Sequence, residues 1–162
     1  MLPIRTIIHP TDLTENSHYA FQMAFALARD YGANIVLLHV YPTPVYPVAD
    51  GGALPVVVEV PREKLMKDLE DMTPPDSTVA VGRVLVEGDP AFEILRVANV
   101  YDADLIVMGT HGRGGLSRVV MGSVAEAVTR KANCPVLTVR VPLRDSRSST
   151  AKTAPAKEPV EV

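Results

Sequence analysis

Apolar side chains follow two textures along the chain. Short, unbroken apolar runs alternate with windows where apolar residues recur every three or four positions. The runs are Ile4–His9, Asn34–Tyr41, Thr78–Glu87, Asp104–Gly109 and Pro135–Val141, with Gly82 a weak point in the third. Strands of a parallel sheet are buried on both faces, so they read as continuous apolar stretches rather than as alternation. Between the first two runs, Ala20, Phe21, Ala24, Leu27, Ala28 and Tyr31 fall on the 3.6-residue period of an amphipathic helix. Thr14 is placed to cap that helix and Gly32 to end it. Helices are also predicted over Arg62–Met72, Ala91–Val100 and Ser123–Lys131. Strand and helix thus alternate through five strands, which predicts an α/β fold: an open, doubly wound parallel sheet with helices on both faces and right-handed crossovers. Periodicity does not set the strand order.

Two segments interrupt this rhythm. Pro42–Pro61, rich in proline and glycine, reads as a long loop. From Pro142 onward large apolar side chains nearly vanish. Such a segment buries too little surface to offset its ordering entropy, so residues 142–162 are expected to be a disordered tail behind one domain, 1–141.

Composition removes several function classes. The 162 residues carry 16 Lys and Arg against 19 Asp and Glu, so there is no general positive field to attract nucleic acid. The basic residues Arg113, Arg118, Arg130 and Lys131 lack interleaved aromatics. No apolar run approaches the ~20 residues of a membrane span, and Met1–Asp12 has no signal-peptide core. With a single cysteine, Cys134, no internal disulfide can form, which fits a cytoplasmic protein. No histidine or cysteine spacing suggests a metal site.

Ligands of open α/β sheets bind beyond the carboxyl ends of the strands. Two segments there carry chemistry. His9-Pro10-Thr11-Asp12 follows the first strand, and Gly109-Thr110-His111-Gly112-Arg113-Gly114-Gly115 follows the fourth. Glycines let a ligand touch the main chain. Gly122 and Ser123 then lead into the last helix, and Ser123 with Glu126 has the spacing of a capping box. A helix start offers unpaired N–H groups to an anion, and Arg113 could add a charge-assisted contact. The competing reading is a surface glycine turn followed by an ordinary cap. Neither a P-loop nor a G-x-G-x-x-G dinucleotide fingerprint is present.

Gly109-x-x-Gly112, nine residues, then Gly122-Ser123 resembles the nucleotide-binding signature of the universal stress protein family. Ile7–Asp12, Leu37–Val40, Asp104–Gly109 and Cys134–Val139 resemble that family's first, second, fourth and closing strands, so the likeness spans about residues 3–141. The resemblance implies an adenine nucleotide alpha hydrolase-like sheet of order 3-2-1-4-5, and a place in the ATP-binding branch. By position, Pro10, Thr11 and Asp12 would line the adenosine side. The backbone of Val40 would meet the adenine edge, and Met108 and Gly109 would pack on the nucleoside. Gly112, Arg113, Gly122, Ser123 and Val124 would hold the phosphates. The resemblance also implies a homodimer through strand Pro135–Val141. The proline-rich segment and the short Arg62–Met72 helix depart from the family pattern on the adenine side.

Asp12 has two readings: a ligand for ribose or a phosphate-bound Mg²⁺, or an acceptor for N–H groups of the following helix. His111 is expected to contribute backbone rather than general-base chemistry. His9 and His39 are expected to pack with one satisfied nitrogen, and His18 to be solvated. Cys134, with no activating partner in view, reads as a small apolar residue. The expectation is therefore a regulatory, ATP-binding stress-response protein in which occupancy of the Gly109–Gly122 loop changes the surface shown to a protein partner. A slow ATPase, or a nucleotide-free interaction module working through tail and dimer surface, are the alternatives.

Overall fold

The computed structural model describes residues 3–42, 61–110 and 121–140. Five strands and four helices alternate: β1 (Thr6–Pro10), α1 (Glu15–Tyr31), β2 (Asn34–Tyr41), α2 (Arg62–Asp71), β3 (Val81–Glu87), α3 (Pro90–Val100), β4 (Leu105–Gly109), α4 (Ser123–Lys131) and β5 (Val136–Val139). All paired strands are parallel and the sheet order is β3-β2-β1-β4-β5. The expected doubly wound fold and strand order are what the chain adopts.

Strict alternation along the central strands divides the core in two. Ile7, Ile35, Leu37, Leu105 and Val107 pack on one face with α1 and with Leu69 and Met72 at the α2 end. Ile8, Val36, Leu38, Ile106 and Met108 pack on the other with α3 and α4. Register makes this consistent from strand to strand: Ile7 lies beside Ile35 and Leu105, Ile8 beside Val36 and Ile106. Ala20, Ala24 and Ala28 are fully buried at four-residue intervals, which lets α1 lie close on the sheet while Phe21 and Phe25 fill the space on either side.

The ends of the elements explain where the sequence-predicted boundaries shift. Thr14 caps α1 by accepting from the Ser17 N–H at 3.4 Å, and Gly32 ends it in the left-handed region at φ 67°. Asp89 accepts from the Phe92 N–H at 2.8 Å, so α3 starts one residue earlier than expected, with Pro90 in its first turn, where the missing N–H does no harm. The edge strands are shorter than their apolar runs. β3 begins at Val81 rather than Thr78, because Asp76 holds the Thr78 N–H in a turn at 2.8 Å. β5 spans Val136–Val139 rather than Pro135–Val141; Pro135 has no N–H to give to a ladder. At the amino end of the sheet, Asp104 Oδ2 accepts from the Arg5 and Thr6 N–H groups at 2.8 and 3.0 Å, tying β4 to β1. Those two bonds hold its carboxyl below the usual carboxylate range.

Residues 43–60 of the expected Pro42–Pro61 loop, residues 111–120 and the expected tail at 142–162 lie outside the described residues.

Candidate functional site

The chain crosses over on one face after β1 and β2, and on the other after β3 and β4. The crossovers leaving β1 and β4 therefore diverge, and a crevice opens beyond the carboxyl ends of these two central strands. Pro10, Thr11 and Asp12 stand on one side of it, Met108 and Gly109 on the other.

The β1 side is a tightly determined turn. The Thr11 N–H donates to the Leu38 carbonyl at 2.8 Å. Its carbonyl accepts from His39 Nδ1 at 2.7 Å. Its hydroxyl oxygen accepts from the Leu13 N–H at 3.0 Å, lies 2.9 Å from Ser17 Oγ, and contacts Met72 Sδ at 3.5 Å. Asp12 Oδ1 accepts from the Thr14 N–H at 3.1 Å and from the Thr14 hydroxyl at 2.6 Å. Of the two readings of Asp12, the helix-start role is therefore present in the geometry. Between these anchors Leu13 is held at φ 64°, a conformation that a bulky L side chain adopts only when its surroundings impose it.

On the β4 side, the Thr110 N–H donates to the Val139 carbonyl at 3.0 Å and the Thr110 carbonyl accepts from the Gly122 N–H at 2.8 Å. The two ends of the glycine segment are thereby joined at the mouth of the crevice. The start of α4 differs from its expected form. Gly122 is the N-cap, Ser123 is an exposed residue already inside the helix, and no side-chain cap bond is made there. The capping box is not formed because Ser123 sits one position too late. Glu126 pairs instead with Arg130 one turn on. Val124 is half-buried and packs with Met121 on the α3–α4 core. Val40 is half-buried on the same face near the end of β2. Gly112, Arg113 and His111 lie outside the described residues.

His9 and His39 are packed with a satisfied nitrogen, as expected. His9 Nδ1 donates to the Val107 carbonyl at 2.7 Å, and its ring lies 5.5 Å from that of Phe21. Complete burial pushes its pKa down to about 4, against partial compensation from its backbone hydrogen bonds and Asp12, so the ring stays neutral near pH 7. Sequence reasoning missed that each imidazole reaches across to a neighbouring strand's backbone. It also missed Leu13, Ser17 and Met72. The parity of His9 and His39 with Ile7 and Leu37 was the available signal for the side they face.

The described residues also border hollows outside the crevice. One, of about 420 Å³, sits between the start of α1 and the end of α2, with Leu13, Thr14, His18 and Met72 in its wall. Another, of about 270 Å³, lies between the carboxyl ends of α3 and α4 and is bordered by Asn99, Asp102, Lys131 and Cys134. Burial raises the Cys134 thiol, which disfavours the reactive thiolate. Among the described residues no group of three or more His, Cys, Asp and Glu side chains could hold a metal ion, and no helix is long and apolar enough to cross a membrane.

The sequence model of the universal stress protein family matches residues 3–140. The chain belongs to the universal stress protein family. A universal stress protein of Methanocaldococcus jannaschii is 34% identical over 145 residues, covering 87% of this chain and 85% of that one. Among solved structures, a universal stress protein in complex with cAMP superposes with a TM-score of 0.62 at 22% identity, over 85% of this chain and 98% of its own. One from Archaeoglobus fulgidus in complex with dAMP gives 0.53 at 22% identity, with the same coverage of both chains. At that identity the two structures establish the shared fold. The family assignment rests on the sequence matches and on a sheet order that the family likeness had implied.

Proposed function

We propose that this universal stress protein binds an adenine nucleotide in the crevice between β1 and β4, and that occupancy regulates its contact with a protein partner. The observation that carries the reading is the Thr110–Gly122 hydrogen bond. It sets the first turn of α4, where no side-chain cap bond is made at Gly122, beside the end of the β4 strand that flanks Asp12's strand. Exposed N–H groups at a helix start suit a phosphate, and the donor chemistry of the described residues there fits one. Pro10, Thr11, Asp12, Val40, Met108 and Gly109 would contact the nucleoside. Gly122, Ser123 and Val124, with Gly112 and Arg113, would hold the phosphates. The cAMP and dAMP carried by the two structural neighbours support an adenine nucleotide as ligand class. ATP is the proposed physiological member; a Mg²⁺ bound with it would find its candidate protein carboxylate in Asp12, since Mg²⁺ is ordinarily held by one or two carboxylates plus substrate phosphates. We assign no catalytic residue; binding and release, not turnover, would carry the signal.

The proposed assembly is a cytoplasmic homodimer through β5. That strand pairs with β4 on one side, and Leu137 on it is 37% exposed. A second copy would cover both the side chain and the strand edge.

Calorimetric titration of protein stripped of nucleotide with ATP, AMP and cAMP tests the reading. One site per chain with micromolar affinity for at least one of them is expected. No heat from any at millimolar concentration would overturn it.

A further inference from the structure

We infer that His39 is a positioning residue for the nucleotide site, acting through the Thr11 carbonyl to hold the Asp12 carboxylate in place. The inference rests on the nucleotide reading proposed above and adds to it a residue outside the crevice-lining set. His39 is buried on β2, on the face that carries Leu37 and α1. Its Nδ1 lies 2.7 Å from the Thr11 carbonyl. A carbonyl only accepts, so the hydrogen must reside on Nδ1. The Thr11 N–H is bonded on the same strand to Leu38 at 2.8 Å. Residues 38 and 39 of β2 thus grip both polar groups of the Thr11 main chain.

The turn beyond Thr11 depends on that grip. Leu13 is held at φ 64°, where a leucine relaxes out unless its flanks are fixed. The flanks are the Leu13 N–H on the Thr11 hydroxyl and the Thr14 N–H and hydroxyl on Asp12 Oδ1. These bonds form a chain from His39 through Thr11 and Leu13 to the carboxylate. If His39 lets go, the Thr11 carbonyl loses its buried donor and the strained turn loses its first support. Asp12 then samples orientations that do not meet the ligand, and the ordering cost falls on binding.

The test compares His39→Leu, which removes the donor, with His39→Asn, whose side-chain N–H occupies much the same place as Nδ1–H. Amide hydrogen exchange is measured at Leu13 and Thr14 without ligand, with the Ile35 and Ile106 amides, bonded inside the sheet at 2.9 and 3.0 Å, as internal reference. ATP affinity is measured in parallel. In His39→Leu, exchange at Leu13 and Thr14 is expected to rise about tenfold while Ile35 and Ile106 hold, and ATP binding to weaken about tenfold. His39→Asn should restore both. Unchanged exchange at Leu13 and Thr14, or equal acceleration at all four amides, would overturn the inference. If the wild-type chain ignores ATP, the nucleotide reading fails by itself, and the exchange pattern still decides whether His39 holds the turn.

Discussion

The Thr110 carbonyl and the Gly122 N–H meet at 2.8 Å, so eleven intervening residues leave and return to the same point at the end of the central sheet. Thr110 is simultaneously bonded to Val139, which extends the β4–β5 ladder one step past the strand. The start of α4 is therefore positioned by the sheet and not by its own cap.

This gives Gly122 an unusual prediction. Its φ of −60° and ψ of 146° suit any residue, so the backbone does not require glycine. Gly122→Val should leave stability within about 1 kcal/mol of wild type, as for other substitutions free of strain or cavity. Its branched side chain would occupy the approach to the helix start, and ATP affinity should fall at least tenfold. Urea denaturation and calorimetry on the same sample check both halves.

Two helix starts should respond unequally to loss of a hydroxyl. Thr14 accepts from the Ser17 N–H and donates to Asp12, whereas Ser123 is an exposed first-turn residue without a cap bond. Thr14→Ala should cost about 1 kcal/mol or more, and Ser123→Ala within about 0.5 kcal/mol, measured as shifts of the urea midpoint.

Acid stability should carry the mark of His9. Its folded pKa is lowered from 6.5 to about 4, chiefly by burial. Between those values the unfolded chain binds the proton and the folded chain does not. The contribution is therefore fully present above pH 6.5 and is lost as pH falls toward 4, to the extent of about 3 kcal/mol. Asp12 and His18 act on the ring electrostatically, in opposite directions. His9→Gln should flatten the pH dependence over that interval, at a constant penalty for repacking. Thermal unfolding at half-unit pH steps reads both slopes.

The dimer proposal turns on one side chain. Leu137 is the exposed apolar residue of β5, and Leu137→Arg should convert a dimer to a monomer in sedimentation equilibrium. ATP affinity should be unchanged, because Leu137 pairs with Val107, two residues before the carboxyl end of β4. A wild-type chain that sediments as a monomer at micromolar concentration would contradict it.

Most of the architecture is legible in the sequence because buried parallel strands and an amphipathic helix leave opposite periodicities. The apolar run Asn34–Tyr41 coincides with β2, the window Ser123–Lys131 with α4, and Thr14 and Gly32 mark both ends of α1. The apolar runs overstate the edge strands: Asp76 holds Thr78 in a turn, and Pro135 accepts from the Ile106 N–H but has no N–H to give back, and no periodicity registers either. At the site, the spacing Ser123-x-x-Glu126 imitates a capping box. The helix begins at Ser123 with Gly122 in the cap position because the Thr110–Gly122 bond sets the entry, and that bond joins residues a dozen positions apart. The grip of His39 on Thr11 is equally hidden, since it depends on the register of β1 against β2. Gly112 and Arg113 fall outside the described residues, so their proposed phosphate contacts rest on the family likeness.

Titration of ¹⁵N-labelled protein with ATP, followed residue by residue in amide spectra, tests the central claim most directly. The account predicts saturable shifts concentrated at Thr11, Asp12, Leu13, Gly109, Thr110, Gly122, Ser123 and Val124, with Asn99 and Asn133 at the far end of the sheet unmoved. Shifts confined to Asn99, Asp102 and Asn133, or none at millimolar ATP, would contradict it.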